Sequence, residues 1–194
     1  MRIHSSALIL ALPAAAFAAG SSQPPPRTGQ AAAHASRLAP EVVIATWEKL
    51  IGNWVADNSK FKNDVDTMDA YGIEWEWGLG KKSLVGRLYG IKGGKDVGTF
   101  WEFREFWHPG EGRLIATQHA GDGTYGAGPH DVKAGGTSEM VQTFFDPGAG
   151  TTSIVGHRSK LEGDVHTTSS FNVDEKGVWT PRRTYVWRRI VKGR

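Results

Sequence analysis

Between residues 51 and 190 the chain alternates apolar and polar positions in short runs, and clusters rich in Gly, Pro and Asp separate them. A period of two marks a strand with one face buried. Ile73-Glu74-Trp75-Glu76-Trp77 is the cleanest case. Runs at 51–56, 73–77, 83–91, 99–107, 113–120, 139–145, 151–161, 165–173 and 178–190 predict about nine strands. The segments between them, such as Gly93-Gly94-Lys95-Asp96, Asp146-Pro147-Gly148-Ala149-Gly150 and Asp174-Glu175-Lys176-Gly177, carry residues that accept a positive φ or preset it, as tight reversals require. Ahead of the strands the period changes. Val43, Trp47 and Leu50 recur at helical spacing behind Pro40-Glu41, which predicts a short helix ending near residue 50. The Gly-rich stretch 121–137 shows neither period and is expected to be a mobile loop at a rim.

Hairpin after hairpin with no second helical region predicts an antiparallel meander, and closing it into a barrel removes its exposed edges. The expected fold is therefore all-β: a single up-and-down antiparallel barrel preceded by one short helix, over residues 40–194. A two-sheet sandwich is the alternative.

The first residues follow a different grammar. Arg2 and His4 precede an apolar stretch from Ala7 to Phe17, and Ala16-Phe17-Ala18 fits a small-x-small cleavage site. Residues 1–18 are expected to be a cleaved signal peptide. The apolar stretch falls short of the roughly 18–20 residues that span a bilayer. Residues 19–39, rich in Ala, Ser, Gln and Pro, bury too little apolar surface to offset their ordering entropy and are expected to be a disordered tether. A periplasmic or secreted destination follows, with no transmembrane segment after cleavage.

Composition narrows the chemistry. There is no cysteine, which excludes disulfides, thiolate metal sites, a Cys nucleophile and the lipidated Cys of a lipoprotein. Eight Trp, eight Phe and four Tyr supply the material for a core without staples. The formal charge is +3, or +2 without Arg2, and no basic stripe of the kind that binds nucleic acid is present.

Gly52-Asn53-Trp54 opens the first strand directly after the short helix, and Tyr185-Val186-Trp187-Arg188-Arg189 ends the last. A Gly-x-Trp answered by a terminal Arg resembles the lipocalin and fatty-acid-binding (calycin) superfamily. The resemblance implies a barrel whose closed end holds Gly52 and Trp54, with Arg188 or Arg189 packed across the indole. Trp47-Glu48-Lys49-Leu50-Ile51-Gly52-Asn53-Trp54 and Glu76-Trp77-Gly78-Leu79-Gly80-Lys81 look still more like the DUF1579-type bacterial proteins. Lys81 departs from the Trp-x-Leu-Gly-Gly-Arg pattern of that branch. What the resemblance implies is a fold with a cavity; it brings no reaction with it.

No catalytic signature accompanies the fold. Gly78-Leu79-Gly80-Lys81-Lys82-Ser83 lacks the glycines of a dinucleotide fingerprint or a phosphate loop and reads as a hairpin turn. There is no Gly-x-Ser-x-Gly elbow, and Glu74 and Glu76 share one strand face as solvent-facing charges would. His108, His119, His130, His157 and His166 form no metal-ligand pair at short spacing, so no metal site is expected. The arginines of the doublets Arg182-Arg183 and Arg188-Arg189 alternate across the sheet, so only half of each is expected to face any one partner, and they read as surface charge and barrel closure rather than as an anion site. The aromatic positions serve first as core, but a barrel of eight or nine strands leaves an interior large enough for one small ligand. The expected occupant is a small hydrophobic or amphipathic molecule, with Trp75, Trp77, Tyr89, Trp101, His119 and His157 as candidate contacts. No cofactor is required. Nitrobindin-like barrels, which resemble calycins, hold haem through a His, and by that analogy His157, His166 or His119 is a candidate for haem or for catalysis in the cavity. A third possibility is an interaction module that works through residues 121–137.

Overall fold

The computed structural model describes residues 38–190. The expected signal peptide and nearly all of the expected tether lie outside them. Helix α1 (Glu41–Leu50) leads into ten strands: β1 (Gly52–Asp57), β2 (Ala70–Trp77), β3 (Ser83–Lys92), β4 (Lys95–His108), β5 (Arg113–Ala120), β6 (Tyr125–Val132), β7 (Thr137–Asp146), β8 (Thr151–Glu162), β9 (Val165–Val173) and β10 (Trp179–Ile190). Each strand pairs antiparallel with its neighbours in sequence, and β1 also pairs with β10, so the sheet is a closed up-and-down barrel. A closed sheet has no free edge, which settles the choice against a sandwich.

The count is ten strands rather than nine because the Gly-rich stretch is not a loop. Residues Tyr125–Val132 form β6, paired with β5 through Thr117↔Ala127 and with β7 through His130↔Met140. Its glycines serve close approach rather than reversal. A Cβ on Gly128 would lie 1.9 Å from the Val141 carbonyl oxygen, and one on Gly126 would enter the Phe144 ring. With no side chain at these positions, Gln142 of β7 reaches over β6 to donate to the Ala116 carbonyl of β5 at 3.1 Å, and accepts from Gln118 at 2.6 Å.

Helix α1 closes the end where β1 begins. It starts behind Pro40, with Glu41 in its first turn and Lys49 in its last, each charge favourably placed on the helix dipole. Its buried stripe of Val43, Trp47 and Leu50 packs onto Trp54, Leu84, Leu114, Leu161 and Trp187. Turns join the strands at the opposite end, and the connection between β1 and β2 folds back there. Asn58, fully buried, holds that connection by donating to Asp66 and to the Met68 carbonyl, both at 3.0 Å.

Three register shifts interrupt the alternation of faces near this far end, one of them where Val97 and Gly98 stand opposite Gly90, and the other two re-aim side chains of the interior. On β4, Trp101 pairs with Leu88 and Thr99 with Tyr89, which leaves Phe100 as an extra residue. On β10, Arg182 and Arg183 stand opposite the single Ser170. A bulge places two residues against one and re-aims the side chains. Phe100 and Trp101 therefore both line the interior, as do Arg182 and Arg183. Strict alternation puts Phe100 on the outer face and admits only one arginine of the doublet; the bulges overrule it.

Candidate functional site in the barrel interior

The interior holds a cavity of about 560 Å³ above the packed closed end. One wall is aromatic. The Trp75 and Phe103 rings lie 5.4 Å apart and 32° from parallel, and Trp101 meets Phe144 edge-on at 5.8 Å. The facing wall, from β7 to β9, is polar, with Ser138, His157, Ser159, His166, Thr168 and Ser170 turned inward. A largely apolar pocket with a few convergent polar groups is how proteins hold small amphipathic molecules.

Towards the closed end the interior contains a buried charge pair carried by β4 and β6. His130 Nδ1 stands 3.1 Å from Glu105 Oε1, with side chains 9% and 8% exposed. The contact is an ion pair without in-line hydrogen-bond geometry. Glu105 Oε2 accepts from the Trp47 indole at 2.9 Å, which ties the charge to helix α1. Burial pushes the Glu105 carboxyl up, but attraction to His130 and the Trp47 hydrogen bond outweigh it and hold the group below the usual carboxylate range. Burial pulls His130 down, and the Glu105 charge more than reverses that. On its other side His130 Nε2 is linked to Ser138 Oγ at 2.9 Å, and Ser138 to Ser159 at 2.8 Å.

His157 and His166 have no such counter-charge. Burial lowers His157 to about 4, with further repulsion from Arg182 and His130. Burial lowers His166 to about 4 as well, against a partial pull from Glu105. Both imidazoles are neutral at pH 7. His157 Nε2 is buried without a hydrogen-bond partner among the described residues.

At the far end a second network spans the first connection and β10. Asp66 accepts from Arg183 at 2.6 Å, from the Tyr71 hydroxyl at 2.7 Å and from Asn58. Tyr185 donates to Asn58 at 2.8 Å. Burial would raise Asp66; the Arg183 and Tyr71 hydrogen bonds and the guanidinium charge bring it below its ordinary value.

The structure distributes the sequence-derived candidates over three places. Trp75, Trp101 and His157 line the cavity. Trp77 lies at the closed end, edge-on to Trp47 at 6.1 Å, and belongs to the core. Tyr89 and His119 are on the outer face, because their strands present Leu88 and Gln118 inward. Tyr89 there covers Gly72 and stacks under Arg87 at 4.4 Å, and exposed His119 packs on Tyr125 at 4.8 Å. Sequence reasoning missed Glu105, Asp66 and the inward turn of Arg182 as parts of the site. The periodicity of β4 does place Glu105 on the face of Trp101 and Phe103, and that was the available signal.

The closure residues resolve into one pair. The Arg189 guanidinium lies over the Trp54 ring at 4.2 Å and donates to the carbonyls of Ile51, at 2.6 Å, and Lys49. Gly52 is needed there. Its φ is +121°, and a Cβ would come within 3.0 Å of Arg189 Nη1. Arg188, the other candidate, is exposed on the outer face.

Among the described residues no three His, Asp or Glu side chains gather as a metal-binding group, and no helix is long and apolar enough to cross a membrane. No protein-family model matches this sequence, and no curated protein matches it.

Proposed function

We propose that this chain is a calycin-like carrier or receptor that takes one small amphipathic molecule into its barrel. The observation that carries this reading is the cavity itself: about 560 Å³, with aromatic rings on one side and hydroxyls and neutral imidazoles on the other. A barrel serving only as a scaffold gains nothing by leaving such a volume unfilled, since cavities cost stability in proportion to their size. The Trp54–Arg189 closure supports the calycin-like assignment. The signal-like composition of residues 1–18 supports a periplasmic or secreted site of action.

Native mass spectrometry of the purified protein tests the reading, alongside a Val155→Trp variant that fills the lumen from β8. A retained mass, or uptake of the uncharged dye N-phenyl-1-naphthylamine, that is lost in Val155→Trp with the barrel intact by circular dichroism is the expected result. A clean mass together with no dye uptake overturns it.

His157 favours a second reading, in which the barrel holds haem. Its Nε2 is buried, unpartnered and neutral, the state in which imidazole ligates iron. His157 would be the ligand and the aromatic wall would cover the macrocycle; the group would supply binding of small diatomic gases or redox chemistry. Titration with haemin gives a Soret band that His157→Ala abolishes if this reading holds, and no band if it does not.

A further inference from the structure

The polar end of the expected ligand can be read from the mouth of the cavity. Two arginines reach it, and they are not equivalent. Arg183 is already neutralised by Asp66 at 2.6 Å and further held by the Tyr185 hydroxyl at 3.1 Å. An internal carboxylate thus occupies the guanidinium that an incoming acid would otherwise take. Arg182 makes no hydrogen bond or ion pair with any described residue, yet its side chain lines the cavity. Alternation would have turned it to the outer face; the bulge opposite Ser170 brings it round. Next to it lie the unpartnered imidazole of His157 and the Ser170 hydroxyl, and the carboxylate at the rim, Asp146, is taken up by the Gly148 and Ala149 N–H groups of its own turn, at 2.8 and 3.0 Å. A cation without a partner at the edge of an apolar cavity is a receptor for negative charge, and the arginine fork suits oxyanions.

We propose that the ligand carries an anionic oxygen head group, that Arg182 receives it at the mouth, and that the apolar body lies against Trp75, Trp101 and Phe103. This rests on the cavity-binding reading above and adds the charge and orientation of the ligand.

Two dyes that share an aromatic body separate the claims. 8-Anilinonaphthalene-1-sulfonate carries an anionic head and N-phenyl-1-naphthylamine carries none. Fluorescence titration of the protein should give a tighter Kd for the sulfonate, and Arg182→Gln should weaken the sulfonate by about tenfold, as loss of a charged hydrogen bond does, while leaving the amine unchanged. Arg182→Lys should restore much of the preference. Arg188→Gln, on the outer face, controls for net charge and should alter neither dye. Arg182 is exposed and bonds to none of the described residues, so its replacement leaves the barrel in place, which far-UV circular dichroism verifies. If the amine binds and Arg182→Gln weakens both dyes equally or neither, the anion inference is overturned and the cavity reading stands. If neither dye binds the wild type, the anion inference falls, and the cavity reading falls with it where the native mass is also clean.

Discussion

The Arg189 guanidinium sits 4.2 Å from the centre of the Trp54 ring, on the two strands whose pairing closes the barrel. The same side chain satisfies the Ile51 and Lys49 carbonyls at the exit of helix α1 and pairs with Asp164 at 2.7 Å in the turn between β8 and β9. One residue thus fastens the helix, the first strand, the last strand and a turn. Trp54 is 1% exposed and donates to the Leu50 carbonyl at 2.7 Å, so the stack is fixed from both sides.

Arg189→Met should therefore cost about 2–4 kcal/mol, because it strands carbonyl acceptors and strips a cation from an aromatic face. Arg188→Met, on an exposed side chain, should stay within about 0.5 kcal/mol. Urea unfolding of the two variants decides it. Equal losses would mean that closure does not depend on this stack.

The Glu105–His130 pair makes a prediction about titration as well as stability. Removing one partner of a buried ion pair typically costs about 3–5 kcal/mol. Glu105→Gln should destabilise at the lower end of that range, since His130 can lose its proton. With the carboxylate gone, burial, the largest influence on His130, is opposed only by the smaller pull of Asp131, and its titration in an NMR pH series should move from above the ordinary histidine value to below it. A His130 shift unaffected by the substitution would refute the pairing.

These two pairs differ in how far the chain announced them. Gly52, Trp54 and a terminal arginine are legible because a positive-φ glycine and a buried indole leave a short, ordered pattern. The choice between Arg188 and Arg189 is not, since it depends on which face of β10 turns inward after a bulge. Face assignment fails generally here because apolar residues lie on both sides: Phe106 packs outside while Phe103 packs inside. The hairpins around Gly163 and Asp174 were readable from turn chemistry alone. β6 was not, because Gly126 and Gly128 look like turn residues until Phe144 and Val141 are known to press on them. Glu105 and His130 lie on strands separated by β5, and no local pattern links them.

Stability should depend on pH in a direction set by the two unpaired imidazoles. His157 and His166 are depressed to about 4 from an ordinary 6.5. Between those values the unfolded chain binds protons that the folded barrel does not, so stability falls as pH falls through that window, by up to about 1.4 kcal/mol per unit per histidine. Their contribution is complete above 6.5. Glu105, held low, adds to the acid loss further down, while His130, held high, gives stability that fades as pH rises through its folded value. Urea midpoints from pH 4 to 8 should thus peak near neutrality, and His157→Asn should flatten the acid limb by about one proton's worth. An acid limb of unchanged slope in that variant would show that His157 is not the buried neutral group described.

Gly128 offers the sharpest contrast within one segment. An added methyl would meet the Val141 carbonyl at 1.9 Å, and backbone cannot step aside as a flexible side chain can. Gly128→Ala should force β6 away from β7 and break the reach of Gln142 across to Ala116, leaving a fully buried amide without its acceptor. The combined overpacking and lost hydrogen bond should exceed about 3 kcal/mol. Gly121, in the turn just before β6, has open space around its would-be Cβ and no positive φ. Gly121→Ala should be neutral or stabilising by about 0.5 kcal/mol, because it restricts the unfolded chain without straining the folded one. Thermal unfolding of the two alanine variants measures both effects. If Gly128→Ala melts with the wild type, residues 125–132 pair less closely than the register described here, and the segment would be the rim loop that its glycine content suggests.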